Sequence, residues 1–116
     1  MNFDFSKQKH NKLAIKEKTQ TNIVSYDEIT YLECTGNLVF VFHNKNHSPF
    51  SYSKSLLDIE CELVDFGFLR INHNKLVNMQ HVMNLNSKKH ELRLSNEITL
   101  SVSRRKWQKI KEFFNS

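Results

Sequence analysis

Glycine and proline are scarce in this chain: two of one and one of the other among 116 residues. That excludes collagen-like and linker-type material. It also excludes a P-loop or a dinucleotide-binding fingerprint, both of which need more glycines than the chain has. Cysteine is equally sparse. Cys34 and Cys61 stand apart from each other and outside any C-x-x-C pair, the usage of reduced thiols rather than of a disulfide framework. No apolar run approaches the roughly 18–20 residues of a membrane helix. The first residues, Met1 to Ser6, lack the apolar centre of a signal peptide. The expected location is therefore cytoplasmic, with no membrane partner.

Aromatic residues, by contrast, are plentiful, with nine Phe, three Tyr and one Trp, and 39% of the chain is hydrophobic. That is enough for a packed core and too much for intrinsic disorder. The length fits one domain. Residues 1–10 lack periodicity and read as a flexible leader; 11–116 read as a single domain. Charge is unevenly distributed. Residues 1–69 hold seven basic and nine acidic side chains, and residues 70–116 hold ten and three. A basic half on a small domain is the electrostatic footprint of a polyanion partner, or else a solvated face that only aids solubility.

The dominant hydrophobic period is two. Strands are expected at Leu13–Ile15 running on to Lys18, Asn22–Tyr26, Tyr31–Cys34, Leu38–Phe42, Phe50–Ser53, Phe68–Ile71, Leu76–Asn78, Val82–Leu85, Glu91–Leu94 and Ile98–Val102. Asp27-Glu28-Ile29 reads as a brief helical turn, and Gly36-Asn37 as a hairpin tip. A loop is expected from His43 to Pro49. Ser55 caps a helix at 55–64, with Leu56, Ile59 and Leu63 on one face and Gly67 as the stop. Ser103 caps a C-terminal helix at 104–115, with Trp107, Ile110 and Phe114 on one face. The fold class is mostly β, with short helices.

Chemistry-bearing patterns are few. His43 and His47 are the only close pair among His10, His43, His47, His73, His81 and His90, and they fall in a predicted loop with no cysteine near. A metal site needs three or four ligands at defined spacing, so no metal or cofactor is expected. G-x-S-x-G and H-E-x-x-H are absent, and both cysteines fall inside predicted elements, where thiols are usually inert. The chain does not read as an enzyme. Three polar clusters on β-connections remain: Thr35-Gly36-Asn37, Asn72-His73-Asn74-Lys75 and Ser103-Arg104-Arg105-Lys106. Asn and Arg can each hydrogen-bond a base at two atoms, while Lys and further Arg neutralise phosphates. Arg104, Arg105 and Lys106 occupy the first turn of a helix, where the dipole disfavours cations. Contact with a polyanion offsets that penalty; the alternative is pairing of the arginines with Glu97 or Asp65. A protein-interaction domain with a basic face is a second reading of the whole. An RNA or single-strand binder stacking bases on Phe50, Tyr52 or Trp107 is a third.

Phe68 to Asn78, read as F-L-R-I-N-H-N-K-L-V-N, resembles the F-x-R-x-H-R-S-Y-x-V-N signature of LytTR DNA-binding domains. Ile29 to Leu38 is similar to that family's I-x-Y-I-E-A-x-G-N-Y, Ser55 to Glu60 to its S-L-x-E-L-E, and Leu100 to Trp107 to its L-P-V-S-R-R-Y-L. The four blocks occur in order across residues 12–114. The resemblance implies an elongated arrangement of about ten strands with short helices, the output module of a bacterial response regulator. It implies double-stranded DNA as partner, at direct repeats read through the major groove, with a second protomer on the adjacent half-site. It places Asn37, Asn72, His73 and Arg105 at bases, and Lys54, Asn74, Lys75, Arg104 and Lys106 at phosphates. Arg70, Val77 and Asn78 match the signature and are expected to support the loop. The family's His-Arg-Ser-Tyr is Asn72-His73-Asn74-Lys75 here, and the Tyr of its G-N-Y is Leu38. His cannot reproduce the bidentate grip of Arg on guanine, so base preference should differ.

Overall fold

A computed structural model describes residues 11–44 and 48–115. The proposed leader, residues 1–10, lies outside the described residues, as do 45–47 and 116. Among the described residues, ten strands form three antiparallel sheets. The first is a hairpin of β1 (Lys12–Glu17) and β2 (Gln20–Ser25). The central sheet has five strands in the order β5 (Phe50–Tyr52), β4 (Leu38–His43), β3 (Ile29–Thr35), β7 (Lys75–Asn78), β6 (Phe68–Asn72). The third is the meander of β8 (Val82–Asn86), β9 (Glu91–Leu94) and β10 (Thr99–Ser101). Helix α1 spans Leu56–Leu63 and α2 spans Arg104–Asn115. None of the described helices is long and apolar enough to cross a membrane.

The period-two pattern becomes two cores, one on each face of the central sheet. On β3 and β7, Leu32 and Leu76 face the first core with Leu13, Ile15 and the α1 residues Leu56, Ile59 and Leu63. Their neighbours Tyr31 and Val77 face the second with Leu92, Leu94, Trp107 and Ile110. Each strand of the pair thus contributes to both cores, as expected where a sheet is covered on both sides. Along β6, alternation puts Phe68 in the first core and Leu69 and Ile71 in the second, and the register with β7 shifts at a bulge between Arg70 and Asn72.

The punctuation behaves as the residues dictate. Ser55 caps α1, its hydroxyl oxygen accepting from the Asp58 N–H at 3.1 Å. A 3-10 turn, Val64–Phe66, extends the helix to Gly67, whose φ of 84° is left-handed, a conformation glycine adopts without a Cβ penalty. Gly36 likewise turns the β3–β4 hairpin with φ 62°. Three local expectations need correction. His43 is no loop residue: it ends β4, is buried, and stacks on Phe50 at 4.4 Å. Cys61 is exposed on α1, because it falls between the buried positions. Phe114 stays 42% exposed although Trp107 and Ile110 are buried.

Buried Asn78 joins the pieces. Its Nδ2 donates to the carbonyls of Tyr26 at 3.2 Å and Ile29 at 3.0 Å, and its Oδ1 accepts from the Gln80 N–H at 3.0 Å. One side chain thereby links β7 to the 3-10 turn Tyr26–Glu28 before β3 and caps the 3-10 turn Met79–His81 that leads to β8. We predict that Asn78→Ala, which removes three hydrogen bonds made by a buried side chain, lowers unfolding free energy by about 3 kcal/mol in urea titrations.

Tyr26 provides a second test. Burial first, then the Glu62 carboxylate that its hydroxyl meets at 3.4 Å, push its pKa from 10.0 up to about 12. The folded state favours the neutral phenol, so this contribution is complete below pH 10 and is lost as pH rises from 10 to about 12. Across that interval Tyr26→Phe should lose less stability than the wild-type protein, measured by denaturant midpoint.

Candidate nucleic-acid interface

The strand registers bring the three polar clusters to one end of the molecule. Glu33 on β3 lies opposite Lys75 on β7, and the Cys34 N–H donates to the Asn74 carbonyl at 2.8 Å. The β3–β4 turn at Gly36-Asn37 and the β6–β7 turn at His73-Asn74 therefore project side by side. The third cluster is attached to the second: the Ser103 N–H donates to the Ile71 carbonyl at 2.9 Å. Ser103 is also the N-cap residue of α2, its carbonyl accepting from Trp107 N–H at 3.0 Å. Lys54 follows β5, whose Tyr52 pairs with Val39, so it emerges at the same end.

Two side chains stiffen the middle loop. The Arg70 guanidinium donates to Glu60 Oε1 at 3.2 Å and to the His73 carbonyl at 2.6 Å, fastening the loop to α1. Asn72 was expected to reach a base. Here both ends of its amide are engaged inside the protein: Oδ1 accepts from the Asn74 N–H at 3.0 Å, and Nδ2 donates to the Ser101 carbonyl at 3.1 Å. Asn72 thus shapes its own loop and ties it to β10.

The remaining candidates divide by what they are free to do. Asn37 and His73 are exposed at their turns, and their side chains make no hydrogen bond among the described residues. Arg104 and Arg105 are exposed, with no ion pair among the described residues. Glu97, one of the acids that could have neutralised them, pairs with Arg93 at 3.3 Å instead. Lys75 is half-buried with its Nζ 3.6 Å from Glu33 and 3.5 Å from Asn74 Oδ1. Lys54 is exposed, 3.9 Å from Glu62, with its ammonium 5.7 Å from the Tyr52 ring centre. Tyr52 foremost, with Glu62 and Asp58, holds Lys54 above the ordinary lysine value, so it stays charged.

Asn72, His73, Arg105 and Lys106 line one open groove of about 550 Å³, whose floor also includes Arg70 and Glu60. Asn37, Lys54 and Arg104 lie outside it on the same end. No motif marks Glu60 for this position, since the Arg70–Glu60 pair depends on how α1 docks on β6. The three aromatics considered for stacking are not open to a base. Trp107 is buried, and Phe50 and Tyr52 are half-buried against the first core. Among the described residues, no three His, Cys, Asp or Glu side chains gather as a metal site would require; His47 lies outside them.

The scaffold is β-rich and carries its donor-rich loops clustered at one end. Its fold matches that of the LytTr DNA-binding domain of a Bacillus cereus protein described as a methyl-accepting/DNA response regulator. The TM-score is 0.79 at 18% identity, over 91% of this chain and 98% of that one. A family model, the LytTr DNA-binding domain, matches residues 19–115, and the chain belongs to this family. It is a DNA-binding family, not a catalytic one. A search of curated proteins finds no match.

Removing the Arg70 clamp should loosen the loop locally. Arg70→Ala is expected to speed amide exchange at residues 73–75 by about tenfold, the ~1.4 kcal/mol of the charge-assisted hydrogen bond to the His73 carbonyl, while β1 and β2 keep their protection.

Proposed function

We propose that the protein is the DNA-reading module of a bacterial transcription regulator, acting in the cytoplasm and binding direct repeats of double-stranded DNA. A second protomer occupies the adjacent half-site. The observation that carries this reading is the convergence of three donor-rich loops at one end of the central sheet, in a chain of a DNA-binding family. The loops enter the major groove, where base edges present a distinct donor and acceptor pattern.

Asn37, His73 and Arg105 are the base readers in this proposal, because each presents polar atoms not already engaged. Asn72 lies at the same surface and acts by holding the second and third loops in register; it can reach a base only by releasing Ser101. Arg104, Lys106 and Lys54 hold phosphates, with Asn74 and Lys75 beside them. The penalty for cations in the first turn of α2 is a few tenths of a kcal/mol each, and neutralising phosphates more than offsets it.

Base reading and phosphate holding have different signatures. Arg105→Ala should weaken binding to the preferred duplex by about 1–3 kcal/mol and relax one base position, with a smaller effect on scrambled DNA. Lys106→Ala should weaken both duplexes alike and reduce the salt slope by about one. Equal losses on the two duplexes for Arg105→Ala would remove it from base reading.

A further inference from the structure

A fourth loop shares the same end of the molecule, and no sequence motif pointed to it. We propose that the β8–β9 turn is a backbone-gripping arm in which Lys88 and Lys89 bind DNA phosphates beside the α2 N-terminus. The inference rests on the duplex-binding reading above.

Register places the turn. Asn86 pairs with Glu91 across the β8–β9 hairpin, and Glu91 pairs with Ser101 on β10. The turn from Asn86 to Glu91 therefore lies at the end of the meander where β10 gives way to α2. The Val102 N–H donates to the His90 carbonyl at 2.8 Å, one residue before the Ser103 that bonds to the β6–β7 hairpin. His90 takes a φ of 53°, and its ring stacks on Trp107 at 4.9 Å with the planes 17° apart. That contact packs the turn against the first turns of α2, the part carrying Arg104, Arg105 and Lys106.

The turn is built and its charges are unspent. Asn86 Oδ1 accepts from both the Lys88 N–H at 3.1 Å and the Lys89 N–H at 3.0 Å, fixing the backbone under the two lysines. Both lysines are exposed, and neither side chain makes an ion pair or hydrogen bond among the described residues. The nearest acid along the hairpin is Glu91, half-buried on β9. The Arg93–Glu97 ion pair lies at the opposite end of the meander, where Arg93 pairs with Thr99. Two unpaired ammonium groups on a fixed turn beside a cationic helix start suit a row of phosphates. They carry no base code, because flexible lysines act as point charges.

The test compares salt dependence of duplex binding between about 50 and 200 mM for the whole chain and its variants. K88A/K89A should lower the salt slope by about two and weaken the preferred and scrambled duplexes alike, on the order of tenfold. K88R/K89R should retain the slope. K12A is the control for loss of charge alone, since Lys12 pairs with Ser25 and shares a hollow with Phe68 and Asn78 at the far end. If K88A/K89A matches K12A per charge removed while R105A still costs the preferred duplex most, the fourth contact is overturned and the loop reading stands. A wild-type protein with no salt-dependent duplex binding overturns both.

Discussion

The register of β3 between β4 and β7 is the constraint on which the rest depends. Leu32 opposite Val41 and Leu76, with Tyr31 opposite Phe42 and Val77, assigns alternate side chains to two separate cores. A slip of one residue would exchange the two faces and place Tyr31 among the side chains of the first core. The same register sets Glu33 beside Lys75 and Cys34 beside Asn74, which places the β3–β4 and β6–β7 turns next to each other. The polar surface is therefore a consequence of core packing. Apolar residues well inside the sheet determine where the exposed ones can reach.

Rigidity at that surface comes from short polar links between connections rather than from apolar burial. Ser103 N–H to Ile71, Asn72 Nδ2 to Ser101 and Arg70 to the His73 carbonyl tie three segments distant in sequence into one piece. Ordering loops before DNA arrives reduces the entropy lost on binding, which is how a small interface reaches useful affinity. The exposed cations are concentrated where acids are few, and the acids that are near serve the scaffold: Glu60 holds Arg70, and Glu33 faces Lys75. Charge therefore has two roles here. Paired, half-buried charges shape the loops, and unpaired exposed ones remain available to a polyanion.

Much of this was legible in the sequence, because alternation and turn chemistry act locally. The strand positions, the Gly36-Asn37 tip, the Ser55 cap and the buried face Leu56, Ile59, Leu63 all follow from spacing and residue type. Family resemblance supplied the grouping of the loops. The division into three sheets was not legible, since pairing partners are set by contacts far apart in the chain. For the same reason Asn72 looked like a free amide until Ser101 was found beside it. His43 looked like loop because its polar neighbours mask its place at the end of β4, stacked on Phe50. The β8–β9 turn has no signature in the sequence, because two lysines in a short turn gain their meaning only from the helix that the His90–Trp107 contact sets beside them.

The central claim is that loops held at one end of this scaffold read duplex sequence. Selection from random double-stranded DNA, carried out at two salt concentrations, tests it most directly. The account predicts enrichment of a direct repeat whose affinity falls as salt rises. Salt-sensitive binding with no enriched sequence would contradict it, leaving a basic domain that holds backbone without reading bases.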